Sequence, residues 1–183
     1  MSSFYTRTGD DGNTGLLGKG RLPKFDLRME TLGAIDEATA ILGIARSLTK
    51  DHDNKELLLH VQRDLYGLMS EVAASKEEAN RFRVICADSI RWLEEQIDAI
   101  AQLTGTPHEF IVPGDCVQAA FLDQARTVVR RAERRLAELL QRGAIENHEL
   151  LSYLNRLSSL CFVIELREIQ LAGIEQPTLA KDS

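Results

Sequence analysis

Apolar residues recur along this chain with the period of an α-helix. Leu32, Ile35, Thr39 and Leu42 step by three, four and three, which predicts an amphipathic helix from about Arg28 to near Ser47. Segment 50–54 then breaks the pattern. The second helix is the clearest, because Leu58, Val61, Leu65, Leu68 and Val72 alternate steps of three and four. A third repeats this with Ile90, Leu93, Ile97 and Ile100, and it stops before Gly105, Thr106 and Pro107. Residues 108–116 lie beyond one proline and contain another, so they read as a structured connection, with Asp115 placed to cap the next helix. That fourth helix runs to about Arg142, before Gly143. The last starts near His148 and is apolar almost all round, which predicts burial on most sides. The fold class is therefore all-α: a five-helix up-and-down bundle.

The two ends differ from this. Residues 1–27 hold five of the 12 glycines and show no helical period, so they read as a long loop. The tail 172–183 reads as flexible, leaving residues 1–171 as one domain without an internal repeat. A hydrophobic content of 44% with only 5% aromatics requires an aliphatic core, in keeping with packed helices. The net charge of −6 argues against a general nucleic-acid or anionic-membrane binder, since both need a positive field. Three cysteines without a CxxC pair support neither a disulfide framework nor a structural zinc. The start does not resemble a signal peptide, and no apolar run approaches a membrane span. The expected setting is the cytoplasm; a microcompartment or an organelle is also compatible.

Two stretches carry candidate chemistry. In TRTGDDGNTG, residues 6–15, Gly9, Gly12 and Gly15 free the backbone to turn N–H groups toward an anion. Thr6, Thr8 and Thr14 add hydroxyl donors, Arg7 adds a charged fork, and Asp10 and Asp11 offer oxygens to a metal ion. It is not a Walker loop: Gly18-Lys19-Gly20 lacks the hydroxyl residue after lysine, and no strand precedes it. On the fourth helix, at the α-helical turn angle, Arg126, Arg130 and Glu133 fall within roughly 60° of one another, away from the main apolar face. Guanidinium groups four residues apart suit polyphosphate, since each can bind two oxygens. Taken alone, the loop reads more simply as a solvated turn and the stripe as a solvated helix face. Asp36 lies beside apolar positions and, if buried, calls for a cation, with a fourth-helix arginine the obvious candidate. Asn155 is an amide in an apolar helix, open equally to a core hydrogen bond and to a ligand. The four histidines are scattered and no Glu-x-x-His occurs, so a di-metal bundle is unsupported. No G-x-S-x-G is present, and no cysteine has an activating context.

Together these blocks resemble a known family. TRTGDDGNTGL, PKFDLRMETLGAIDE, FIVPG, ARTVVRRAERRL and YLNRLSSLCFV look like the successive signatures of PduO-type ATP:cob(I)alamin adenosyltransferases, in order and over residues 5 to about 167. The resemblance implies a homotrimer with ATP between the N-terminal loop of one subunit and the arginine helix of its neighbour. Thr6, Arg7, Thr8, Gly9 and Thr14 match the nucleotide loop, and Lys24 its triphosphate lysine. Arg126, Arg130, Glu133 and Asn155 match the ATP-contacting helix residues. Asp36 matches an aspartate that bridges across the interface to the arginine at Arg126. Phe110 matches an aromatic that presses on the lower face of the corrin and displaces its axial base. The implied substrates are ATP, with Mg²⁺ held mainly by its phosphates, and cobalamin or a related corrinoid. A reductase or a cobalamin-dependent enzyme is an implied partner.

The chain departs from the family pattern in places. Asp115 stands for a glycine, Asp123 for a histidine, Ser159 for an aspartate, Glu165-Leu166 for Ala-Arg and Ala38-Thr39 for Leu-Asn. The two added aspartates bring negative charge to the corrin side. The alternative expectation is therefore an ATP- or corrinoid-binding delivery or sensor protein with little turnover. A helical assembly protein without a ligand is a third reading.

Overall fold

The computed structural model describes Tyr5 and residues 7–181. Its helices are α1 (Leu27–Leu48), α2 (His52–Ala73), α3 (Ala87–Thr104), α4 (Val117–Gln141) and α5 (Glu149–Leu171). A hairpin of β1 (Asn13–Gly15) and β2 (Arg21–Pro23) precedes them, and a single 3₁₀ turn (Ala79–Phe82) lies between α2 and α3. The five-helix bundle is as the periodicity predicts. No helix among the described residues is long and apolar enough to cross a membrane.

Helix ends follow local chemistry. Asp26 caps α1 by accepting from the Arg28 amide at 2.8 Å, and Asp51 caps α2 by accepting from the Asn54 amide at 2.8 Å. The break between these helices is therefore only residues 49–51, shorter than the expected 50–54, because the Asp51 cap starts α2 at once. Gly105 closes α3 with a positive φ of 71°, and its amide donates to the Ala101 carbonyl. Asp115 does not cap α4. Cys116 holds that position without a side-chain bond, and the Asp115 carboxylate instead accepts from the Thr178 amide and hydroxyl at 2.8 and 2.6 Å.

α1 packs against α2 and α4, and α5 against α4 and α3. The contact faces are the predicted ones: Ile35 and Leu42, Leu58 and Leu65, Leu93, Val129 and Leu136, Leu150 and Leu154 are all fully buried. Each such leucine or isoleucine contributes about 1.5–3 kcal/mol by burial. α5 buries residues on most sides, as expected of a helix apolar all round. Polar ties are few and specific. The buried Arg28 guanidinium donates to the carbonyls of Val72, Ala74 and Ala144 at 2.9, 2.6 and 2.6 Å, joining the start of α1 to the end of α2 and the α4–α5 link. Glu168 accepts from Asn54 at 2.7 Å and from the Thr49 hydroxyl, locking the α1–α2 link onto α5.

Both chain ends are more structured than the sequence suggests. The residues read as a long loop contain the β1–β2 hairpin, and Leu17 hooks it to α2 by donating to Ala73 O (2.9 Å) and accepting from Ser75 N (2.8 Å). In the tail read as flexible, Leu179 pairs with Ile111 as an isolated bridge. The three cysteines are free.

Candidate functional site

The first cluster is built on the hairpin. The chain turns at Arg7, whose φ is +61°, and the Asp10 and Gly12 amides donate back to Arg7 O and Gly9 O. Lys24 folds over this turn: its amide donates to Gly12 O at 2.9 Å, and a Cβ at Gly9 would lie 3.1 Å from Lys24 Nζ. Glycine at position 9 is what lets the ammonium come so close. Thr8 is exposed and Thr14 half-buried in β1. Arg7 also places its guanidinium 5.3 Å from the Tyr5 ring centroid. Thr6 lies outside the described residues.

Arg21 is the brace that sequence reasoning missed. Its guanidinium donates to both Asp11 carboxylate oxygens at 2.9 Å and to Thr8 O at 2.6 Å. This hydrogen-bonded guanidinium holds the Asp11 carboxyl below the usual carboxylate range. Both Asp11 carboxylate oxygens are thus engaged by Arg21. A basic residue ten positions downstream, across a glycine-rich turn, was the available signal.

The second cluster sits where α4 and α5 meet. Glu133 accepts from Asn155 Nδ2 at 2.8 Å, Asn155 Oδ1 accepts from Arg156 at 2.6 Å, and Arg156 Nε donates to Glu94 at 2.7 Å. Asn155 thus bonds the side chain of another predicted site residue, Glu133. Arg130 is exposed one turn from Glu133, and its carbonyl accepts from Arg134 at 2.9 Å. Arg126 is half-buried and donates from Nε and Nη2 to the Asp123 carboxylate at 2.8 and 2.6 Å.

Asp36 does not meet a fourth-helix arginine within the chain. It is exposed, so it escapes the desolvation that would demand a cation, and it lies in a groove with Leu17, Leu32, Tyr66 and Met69. The fourth-helix arginine that does reach α1 is Arg131, which pairs with Glu37.

Next to Arg126 opens a cavity of about 560 Å³, lined by Phe110, Ile111, Pro113, Asp123, Arg126 and Phe162. Phe110 is 86% exposed, an aromatic ring held out from a loop. In sequence Phe110 precedes α4, which carries Arg126, and all of α4 separates it from Phe162 on α5; the fold makes the three one wall. Glu165, one turn beyond Phe162, is fully buried with neither carboxylate oxygen hydrogen-bonded. Burial pushes its carboxyl up to about 7, with Asp123 adding to the rise and Arg126 opposing it. Burial also pushes the Cys161 thiol up to about 12, away from reactivity.

The hydrogen bonds of Asp11, Asn13, Arg21 and Lys24 stay on the hairpin side, and those of Arg126, Glu133 and Asn155 stay among α3, α4 and α5. One chain thus displays two separate clusters of cationic and polar groups, one on the hairpin and one on α4 and α5.

The chain resembles known proteins over nearly its whole length. The family model of cobalamin adenosyltransferases matches residues 4–168. The chain belongs to this family. It is 34% identical over 179 residues to a corrinoid adenosyltransferase of Citrobacter freundii, covering 97% of both chains. It is 36% identical over 167 residues to the corrinoid adenosyltransferase PduO of Salmonella typhimurium, covering 91% of this chain and 49% of that one. The chain thus spans about half the length of that relative, and the same holds for PduO of Citrobacter freundii. Among solved structures, a variant of the PduO-type ATP:corrinoid adenosyltransferase from Lactobacillus reuteri, complexed with cobalamin and ATP, is similar with a TM-score of 0.90 at 30% identity, over 98% of this chain and 100% of that one.

Proposed function

We propose that this protein transfers the 5′-deoxyadenosyl group of ATP to the cobalt of reduced cob(I)alamin or a related corrinoid, releasing triphosphate. The observation that carries the reading is that Phe110 and Arg126 line one cavity, while Glu133 and Asn155 are hydrogen-bonded on the adjoining stretch of α4 and α5. In the reaction, the cobalt(I) electron pair attacks C5′, a Co–C bond forms, the C5′–O bond breaks, and the triphosphate oxygen leaves with the bonding electrons. No general base is required. The protein's work is alignment and neutralisation of the charge growing on triphosphate.

Each residue takes a part that suits its position. Arg7, Thr8, Gly9, Thr14 and Lys24 receive the phosphates on the loop, together with Thr6. Arg130 is exposed and oriented by its helix, ready to take the leaving phosphates, with Mg²⁺ riding on those phosphates. Glu133 and Asn155 hold each other's rotamers at the nucleoside end. Phe110 covers the lower face of the corrin, displacing its axial base and easing reduction to cobalt(I).

The two half-sites are completed by a neighbour in a homotrimer. The groove around Asp36, with Tyr66 71% exposed beside it, is the face that receives the next subunit. There Asp36 competes with Asp123 for Arg126. The cytoplasm and a separate reductase complete the reading. To test it, purified protein is mixed with ATP, Mg²⁺ and chemically reduced cob(I)alamin, and loss of the cobalt(I) absorbance is followed. Formation of adenosylcobalamin is expected; none above the blank would sink the enzyme reading. Binding of both ligands without turnover would then select the delivery or sensor role, and ATP protection against thermal unfolding reads that directly.

A further inference from the structure

The connection between α3 and α4 carries Phe110, yet it has little frame of its own. It contains Pro107 and Pro113, which lack amide donors, and Gly114 with a φ of +123°. Among the described residues, the two backbone hydrogen bonds made by residues 106–115 both go to the segment 178–180. Val112 N donates to Thr178 O at 2.8 Å, and Phe110 O accepts from Ala180 N at 2.7 Å. These bonds bracket the Ile111–Leu179 bridge. A third tie comes from Asp115 at the far end of the connection, whose two carboxylate oxygens accept from the Thr178 amide and hydroxyl at 2.8 and 2.6 Å.

The geometry is that of a two-point pin. Thr178 is gripped by Asp115 through amide and hydroxyl, and its own carbonyl grips Val112. Ala180 then takes the carbonyl of Phe110 itself. Rotation of the Phe110 backbone breaks the Ala180 bond, and sliding of the segment breaks the Asp115 bonds. A charged acceptor makes that last pair the strongest of the set. The exposed ring of Phe110 is consequently held on the cavity it shares with Ile111, Arg126 and Phe162, although its own side chain has little packing to fix it.

We propose that Asp115 and residues 178–180 form a clasp that sets the position of Phe110 over the cavity, so that Asp115 and Thr178 are positioning residues for corrinoid binding. This rests on the adenosyltransferase reading for its ligand. It predicts a split between substrates: corrinoid recognition depends on the clasp, and ATP recognition does not.

Asp115→Ala and Thr178→Val, in the full chain, are expected to raise the KM for cob(I)alamin about tenfold while the KM for ATP stays within twofold. Thr178→Ser keeps the hydroxyl donor and should restore the wild-type KM. The double variant should be no worse than Asp115→Ala alone, because Thr178→Val removes one of the two bonds that Asp115→Ala already removes. A KM for cob(I)alamin within twofold of wild type in both single variants would overturn the clasp, as would equal losses for ATP and corrinoid. Amide hydrogen exchange at Val112 and Ala180 separates this from the wider reading. If wild type lacks turnover, the functional reading falls, and exchange still judges the clasp. At least tenfold faster exchange in Asp115→Ala supports it, and unchanged exchange removes it.

Discussion

The hairpin loop and the α4–α5 face carry the same kind of groups and are held in opposite ways. On the hairpin, the bonds around the glycine turn are polar, short in sequence separation and exposed: Arg21 to Asp11 and Thr8, Lys24 to Gly12. Leu17 ties the hairpin to α2 through backbone bonds. On the helices, Arg126, Arg130, Glu133 and Asn155 ride on segments anchored by the fully buried Val129, Leu136, Leu154 and Leu157. A surface ion pair is worth about 0–1 kcal/mol, whereas each core leucine contributes several times that. The loop is therefore a shape that a polyanion can reinforce or rearrange, and the helix face is one that a ligand meets ready-made. Under the proposed function, the loop would close on triphosphate and the helix face would hold the reacting carbon in line.

The contrast is tested most severely by Arg130→Ala. If the helix face is ready-made and Arg130 meets the leaving phosphates, kcat/KM should fall by about 2–4 kcal/mol of transition-state stabilisation, with the thermal midpoint nearly unchanged. A loss below threefold would remove Arg130 from the reaction. Glu165 probes the interior behind that face. An unfolded glutamate ionises near its ordinary value of 4.5 and the buried one near 7, so the native state binds more protons between those values. Stability should thus fall as pH rises through that window, by about 3 kcal/mol in total, and level off above it. In urea melts from pH 4.5 to 8, Glu165→Leu should flatten this slope and be the more stable protein at pH 8. An unchanged slope would assign the pH dependence elsewhere.

Asn155→Leu comes next in size. It leaves Glu133 without its donor in a half-buried place, which should cost about 1–3 kcal/mol in ATP binding or stability. Titration with a non-hydrolysable ATP analogue against a thermal melt reports which of the two is lost. The smallest effect is expected at Arg21→Ala. Its ion pair is exposed, so stability should move by less than about 1 kcal/mol, yet the KM for ATP should rise a few-fold because Thr8 and Asp11 lose their brace. If Arg21→Ala instead destabilised the whole bundle, the hairpin would be structural and the proposed division between the two regions would fail.

Much of the fold was legible in the sequence because each helix keeps one apolar face over about three turns or more, and the Gly105 and Gly143 stops sit where positive φ is needed. The caps were harder. Asp115 has the right type and place for an N-cap, but Thr178 offers it two donors, and a partner 63 residues away leaves no local signal. Asp36 was judged from its apolar neighbours in sequence, whereas its helix turns it to solvent. Phe162 passed as one more apolar residue of α5, since nothing local distinguishes an aromatic that lines a cavity from one that fills the core. The signal for Arg21 is weak, a basic residue across a glycine-rich turn, because backbone carbonyls and a nearby carboxylate carry no strict spacing rule.

By itself, then, the sequence determined the five helices, their buried faces and the two stretches where cationic and glycine-rich groups gather. These depend on short-range periodicity and on residue chemistry, which a linear chain displays directly. Tertiary structure decided which of those groups meet: Asn155 with Glu133, Phe110 with Arg126, Asp115 with Thr178, and Asp36 with none of the arginines of its own α4. Such pairings are set by how helices of fixed face stack in space, and contacts between distant segments follow from packing rather than from any local rule.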